Sequence, residues 1–322
     1  MHTRLGWALV SLVLWISAAA AGAASTYPTK PIRMLVGFAV GGGSDIVARI
    51  IAPRLSEQFR QQVVVDNRPG AGSSIASEIA AKSLPDGYTL IMISSSHTIN
   101  AGIYKKLSYH PVNDFTAVSL AVAAPNVLVV TLSLPVKSLA EFIALARAKP
   151  GQLNFASSGT GGSSHLSGEL LKRMAGIELT HVPYKGAAPA LTDVIAGQVQ
   201  LLFPSMPTVL TQIRAGRVKA LAVTALKRSP ALPDVPTVAE SIPGYEATNW
   251  YGVLAPASTP KPVINALNAA ILNALRTPAV ADAITAQGAD AVGSTPAEFQ
   301  AYLKSEVEKW GKLIRDAGIS PE

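Results

Sequence analysis

The sequence contains no cysteine. That excludes disulfides, thiolate nucleophiles, Fe–S clusters and cysteine-ligated zinc together. Charge is scarce too: Asp, Glu, Lys and Arg are 15% of the 322 residues, against 49% of apolar type. A chain of that balance builds a core and is neither disordered nor a coiled coil. Lys and Arg number 27 and Asp and Glu 20, a net +7. The cations form no run and are not interleaved with aromatic residues, so a nucleic-acid partner is not expected. Enzyme signatures are missing as well. There is no G-x-S-x-G turn, no G-x-x-x-x-G-K-[ST] and no G-x-G-x-x-G. His2, His97, His110, His165 and His181 form no H-E-x-x-H or other close pair. Neither a metal nor a cofactor is expected, and the chain does not read as an enzyme.

What is present begins with residues 1–24. Arg4 is followed by an apolar run from Leu9 to Ile16 and then by small residues from Ala18 to Ala24. The apolar run falls short of the roughly 20 residues that span a bilayer. The three-part pattern predicts a secretory signal peptide and a soluble mature chain outside the cytoplasm.

The length suggests two domains. Short apolar runs predict strands at Arg33–Phe38, Val63–Asp66, Thr89–Ser94, Thr116–Leu120, Val127–Thr131, Leu153–Ala156, Leu179–Tyr184, Val199–Phe203, Val218–Thr224 and Tyr251–Ala255. Helices are predicted at Asp45–Phe59, Ser138–Ala148, Leu166–Ala175, Ala187–Gln198, Pro260–Arg276 and Pro296–Asp316. Ser138, Thr259 and Thr295 stand as N-caps, the last two before a proline. The alternation predicts α/β architecture: two sheets of about five strands, mainly parallel, each flanked by helices. The chain would cross between them near Pro125 and return through the proline-rich stretch Pro230–Pro243.

Two loops of one kind carry the chemistry. The first strand runs into Phe38-Ala-Val-Gly-Gly-Gly-Ser-Asp45, and Asn154-Phe-Ala runs into Ser157-Ser-Gly-Thr-Gly-Gly-Ser-Ser-His165; a helix follows each. Backbone N–H groups and small hydroxyls at a helix N-terminus bind anions. Ligands of parallel α/β sheets sit at the C-terminal ends of strands. The candidates are therefore Phe38, Gly41, Gly42, Gly43, Ser44 and Asp45 in the first loop, and Ser157, Gly159, Thr160, Ser164 and His165 in the second. The Asp45 carboxylate would repel an anion if it faced the cleft; otherwise it caps its own helix or meets a ligand ammonium. Further candidates stand at other strand ends: Ser95 and His97, Tyr184, Lys185 and Gly186, and Ser205. His97 is equally read as a hydrogen-bonded core residue and Lys185 as a solvated one. The rival reading, an exported hydrolase, would use Ser163 or Ser164 with His165, although neighbours at a helix start rarely face each other.

Ordered motifs over residues 27–320 carry a resemblance. They include Tyr27-Pro-Thr-Lys-Pro-Ile32, Phe38-x-x-Gly-Gly-x-x-Asp45, Val65-Asp-Asn-Arg-Pro-Gly-Ala-Gly72, Pro85-Asp-Gly-Tyr-Thr-Leu90, Pro150-Gly-x-Leu-Asn-Phe-Ala-Ser-Ser-Gly159 and His181-Val-Pro-Tyr-Lys-Gly186. The chain resembles the extracytoplasmic receptors of tripartite tricarboxylate transporters, the Bug receptors. The resemblance implies a two-lobed periplasmic binding protein fold (type II-like). Residues 25–125 and 247–322 would form lobe 1, residues 126–246 lobe 2, and the ligand would lie between them. It implies a periplasmic, monomeric receptor. Its partners would be a small carboxylate (di- or tricarboxylate, aromatic acid or similar) and the membrane components of such a transporter. A sensory receptor would use the same cleft.

Overall fold

The structure is a computed structural model and describes residues 27–316 and residue 319. The predicted signal segment, residues 1–24, lies outside the described residues. In chain order the elements are β1 (Ile32–Val36), α1 (Gly43–Phe59), β2 (Val63–Asn67), a 3-10 turn (Ala71–Ser73), α2 (Ser74–Ala81), β3 (Thr89–Ser94), α3 (Ser96–Ile103), β4 (Phe115–Ala124) and β5 (Val127–Val130). Then follow α4 (Leu139–Ala148), β6 (Asn154–Ser157), α5 (Ser163–Ala175), β7 (Thr180–Pro183), α6 (Ala187–Ile195), β8 (Leu201–Leu202), α7 (Met206–Arg214) and β9 (Lys219–Val223). The chain ends with α8 (Val238–Ser241), β10 (Asn249–Pro256), α9 (Lys261–Arg276), α10 (Pro278–Ala286), β11 (Asp290–Ala291) and α11 (Pro296–Asp316).

These strands form two sheets, ordered β11-β4-β10-β3-β1-β2 and β7-β6-β8-β5-β9. The expected predominance of parallel pairing is corrected. Parallel pairs join β2, β1 and β3 in one sheet and β7, β6 and β8 in the other, the regions built by strand–helix–strand units. The strands next to the crossings, β4, β10, β5 and β9, pair antiparallel. The chain leaves the first sheet after Ala124, enters the second at Val127, and returns between Val223 and Asn249.

The central strands are apolar throughout because both faces are covered. On β1, Ile32, Met34 and Val36 pack with Val47, Ile51 and Ile271, while Leu35 joins Ala76, Ala80 and Phe299 on the other face. Of the three N-caps predicted from sequence, Ser138 and Thr295 act as caps and Thr259 does not; Ser138 Oγ accepts from Glu141 N–H at 3.2 Å. Thr295 and Glu298 form the reciprocal pair expected of a capping box. The Thr259 hydroxyl instead donates to the Pro256 carbonyl, and Pro260 takes the cap position.

Helix α11 serves both sheets. Phe299 and Leu303 belong to the core of the first, whereas Trp310 and Ile314 join the core cluster of the second. Between them sits Glu306, 4% exposed. Its Oε2 accepts the indole N–H of Trp250 at 3.0 Å and that of Trp310 at 2.9 Å. Glu306→Ala strands two buried donors and is expected to cost about 3 kcal/mol. The urea midpoint of unfolding reads that loss; an unchanged midpoint would show that the two indoles find other acceptors.

Candidate functional site

The two glycine loops fold alike. Gly41 has φ +80° and Gly161 φ +74°, a region glycine enters without strain. The cap residues that follow match closely: Gly42 at φ −74°, ψ 160° and Gly162 at φ −74°, ψ 157°. Each cap closes a turn, Gly42 N–H to the Ala39 carbonyl (3.2 Å) and Gly162 N–H to that of Gly159 (3.0 Å). Three residues on, a side chain reaches back. Asp45 Oδ2 accepts from Gly41 N–H at 2.9 Å, and His165 Nδ1 accepts from Gly161 N–H at 3.3 Å. Glycine caps bring no side-chain oxygen, so neither helix has a side-chain N-cap.

Asp45 thus faces its own loop. Burial works to raise its pKa. The Arg49 guanidinium, the Gly41 amide and the Asn67 amide outweigh that and hold the carboxyl below the usual range. It is an anchored anion, not a repulsive one at the cleft.

Between the sheets lies a small cavity of about 30 Å³. Helix starts line it: Gly43 and Ser44 of α1, Ser96 of α3, Ser163 and Ser164 of α5, Ala187 of α6 and the α7 cap Ser205. Phe38, Gly42, Ser94, Ser158, Phe203, Pro204, Asn249 and Tyr251 complete the wall. No charged side chain is among them. Each helix start carries the equivalent of roughly half a positive charge. Five of them directed at one cavity, with hydroxyls between, make a site for an anion held by neutral donors. The inner wall is a connected network. Ser95 Oγ donates to Asn249 Oδ1 (2.7 Å), and Asn249 Nδ2 donates to the Tyr251 hydroxyl (3.0 Å). Tyr251 in turn bonds Ser205, and burial raises its pKa far above the ordinary tyrosine value.

Of the sequence candidates, the structure brings Phe38, Gly42, Gly43, Ser44, Ser164 and Ser205 to the cavity wall. The others stand outside it. Gly41 and Asp45 shape the first loop, and Ser95 supports Asn249. His97 is buried in the core; Ser77 Oγ and the Pro111 carbonyl take its ring nitrogens at 3.1 and 2.8 Å. Ser157 bonds His181 at 2.6 Å. Gly159 and Thr160 lie against Gly72 and Tyr104. The Tyr184 hydroxyl donates to Asp193, Lys185 is exposed, and Gly186 abuts Ala39 across the cleft. Asn249 and Ala187 were invisible as site residues. One opens a strand after the return crossing and the other is an alanine, so neither carries a chemical signal.

The hydrolase geometry is not assembled. His165 Nδ1 is occupied by Gly161 N–H, its ring stacks on His181 at 4.1 Å, and Ser164 Oγ accepts from Ser158 N–H at 2.7 Å. The close Ser157–His181 contact lies away from the cavity wall.

A family described as the tripartite tricarboxylate transporter family receptor (TctC) matches residues 47–319. The chain belongs to the TctC family. Protein BugT of Bordetella pertussis is 38% identical over 319 residues, 98% of each chain. Among solved structures, a Rhodopseudomonas palustris protein with adipate superposes on this TctC chain with a TM-score of 0.89. It is 40% identical and the match covers 92% of this chain and 100% of that one. MatC of the same organism, with bound malate, gives 0.87 at 33% identity, covering 89% and 100%. The TctC family and its fold are those of periplasmic solute-binding receptors.

Proposed function

We propose that this chain captures a small carboxylate, a dicarboxylate foremost, in the cavity between the sheets and delivers it to a tripartite tricarboxylate-type transporter. One observation carries the reading: five helix N-termini and a ring of hydroxyls surround a cavity whose wall holds no charged side chain. A dianion finds donors on both sides there, and charge-assisted hydrogen bonds are the strong ones. The adipate and malate held by the relatives fit that chemistry. The receptor works as a monomer in the periplasm, with residues 1–24 as its export signal. Residues 25–125 and 247–322 move against 126–246 as ligand enters. No bond of the ligand is broken.

The test is thermal melting of the purified mature protein with adipate and with malate, and assay of the acid afterwards. A ligand at a hundred times its Kd adds about 2.7 kcal/mol to a folded state that alone binds it. A raised melting midpoint with the acid recovered intact supports the receptor. Loss of the acid would make the protein an enzyme, and no shift with either acid would remove dicarboxylates from the reading.

A further inference from the structure

We infer that one face of helix α3, with the turn that packs on it, is the latch that holds the closed receptor shut. The inference rests on the receptor reading. Ser96, Asn100 and Tyr104 are spaced four apart, so they share one side of the helix. All three meet the glycine loop of the opposite lobe. Ser96 Oγ accepts the N–H of Ser163 at 3.2 Å, and the Tyr104 hydroxyl donates to the Thr160 carbonyl at 3.1 Å. Asn100 lies between them, fully buried. Its Nδ2 donates to the Gly72 carbonyl (2.9 Å) and to Ser74 Oγ (3.0 Å), while its Oδ1 has no hydrogen-bond partner. That oxygen sits where a Cβ on Gly161 would come within 2.3 Å.

The turn is strained in the way functional contacts often are. Gly70, Ala71, Gly72 and Ser73 all have positive φ, at +141°, +45°, +57° and +81°. This run presents Gly72 to the other lobe, where a Cβ would stand 2.4 Å from the Thr160 carbonyl oxygen. Backbone meets backbone there, and any side chain would prop the lobes apart. Of the three latch residues only Ser96 reaches the cavity wall. Asn100 and Tyr104 act on affinity by positioning: they stabilise the closed arrangement that the ligand selects.

The experiment is stopped-flow release of adipate and of malate from the wild type, Tyr104→Phe and Gly72→Ala. It is paired with melting of each ligand-free protein. Tyr104→Phe removes one neutral hydrogen bond of the closed form, so release should quicken about two- to tenfold. Association and the ligand-free melting midpoint should stay unchanged. Gly72→Ala should lose at least about tenfold in affinity by blocking closure. Because the chain lacks cysteine, dyes on Leu84→Cys and Lys149→Cys report the separation of the lobes directly. With either acid that binds, Tyr104→Phe should show a larger open fraction. Unchanged release, or a drop in ligand-free melting that accounts for the loss, overturns the latch. If neither acid binds the wild type, the dicarboxylate reading fails. Dye distances in the ligand-free proteins then decide the latch, and identical distributions in wild type and Tyr104→Phe overturn it.

Discussion

Gly43→Val is expected to abolish binding of any acid that stabilises the wild type. Gly43 is the first residue of α1, and its missing side chain is part of the cavity. A Cβ there would lie 2.0 Å from the Tyr251 hydroxyl oxygen and 2.4 Å from Ser205 Oγ. Neither can yield cheaply. Tyr251 is 1% exposed and tied to Asn249, and Ser205 heads α7 from the second sheet. The substitution therefore fills the site and presses on two groups carried by different sheets, Tyr251 on β10 and Ser205 after β8. Overpacking of this kind costs about 1–3 kcal/mol of stability. The loss of affinity, at least about a hundredfold, should exceed that cost. Gly42→Ala is the control. Its Cβ would approach the Ala39 carbonyl oxygen at 3.2 Å, and its φ of −74° suits alanine, so a milder loss is expected. Titration calorimetry with adipate or malate ranks the two, and undiminished binding by folded Gly43→Val would place the ligand elsewhere.

That ranking shows what a sequence can and cannot reveal. Both glycine loops are local, so their spacing alone announces the helix starts; ten strands are legible as short apolar runs, clearest in the central strands whose two faces are both buried. The two-residue strand Asp290–Ala291 is too short and too exposed to leave a pattern. Helix α3 shows in the sequence only as a run of polar residues after a strand, since Ser, His, Thr and Asn favour turns and caps. Its helical state comes from packing on α11, where Gly102 lies close to Ile314 and Gly311. The short helices α2, α7, α8 and α10 likewise have no counterpart among the helices predicted from sequence. The far wall of the cavity was hidden for a topological reason. Asn249 and Tyr251 meet Ser44 only because β10 inserts between β3 and β4, a placement no local window contains.

Acid should unfold this protein well above the pH at which its carboxylates are neutralised. Three histidines are held uncharged. Burial depresses His97 to about 4, among Tyr109 and Phe115. Burial, then the His181 ring and the Lys172 ammonium, bring His165 to about 3; burial and Lys172 bring His181 to about 4. Glu169, 3.9 Å from His165 Nε2, would favour protonation, but its carboxylate is engaged by Lys172 at 2.9 and 3.0 Å. The unfolded chain therefore binds protons that the folded chain refuses. The contribution is fully present above the unfolded value near 6.5 and is lost progressively as pH falls from there toward 3–4. At pH 5 the loss is on the order of 2 kcal/mol per histidine, a large share of a typical stability of about 5–15 kcal/mol. Two of the three also support the second glycine loop. Gly161 N–H needs the unprotonated His165 Nδ1, and His181 holds Ser157, which accepts from Gly159 N–H at 3.1 Å. Ligand binding should consequently fail in the same range. A carboxylate ligand also titrates there, so the variants separate the causes. His165→Asn keeps an acceptor that does not protonate, and His181→Gln keeps a partner for Ser157. Each should flatten the fall of the melting midpoint between pH 7 and pH 5. A midpoint that is already flat in the wild type would mean that these imidazoles titrate as they do in water.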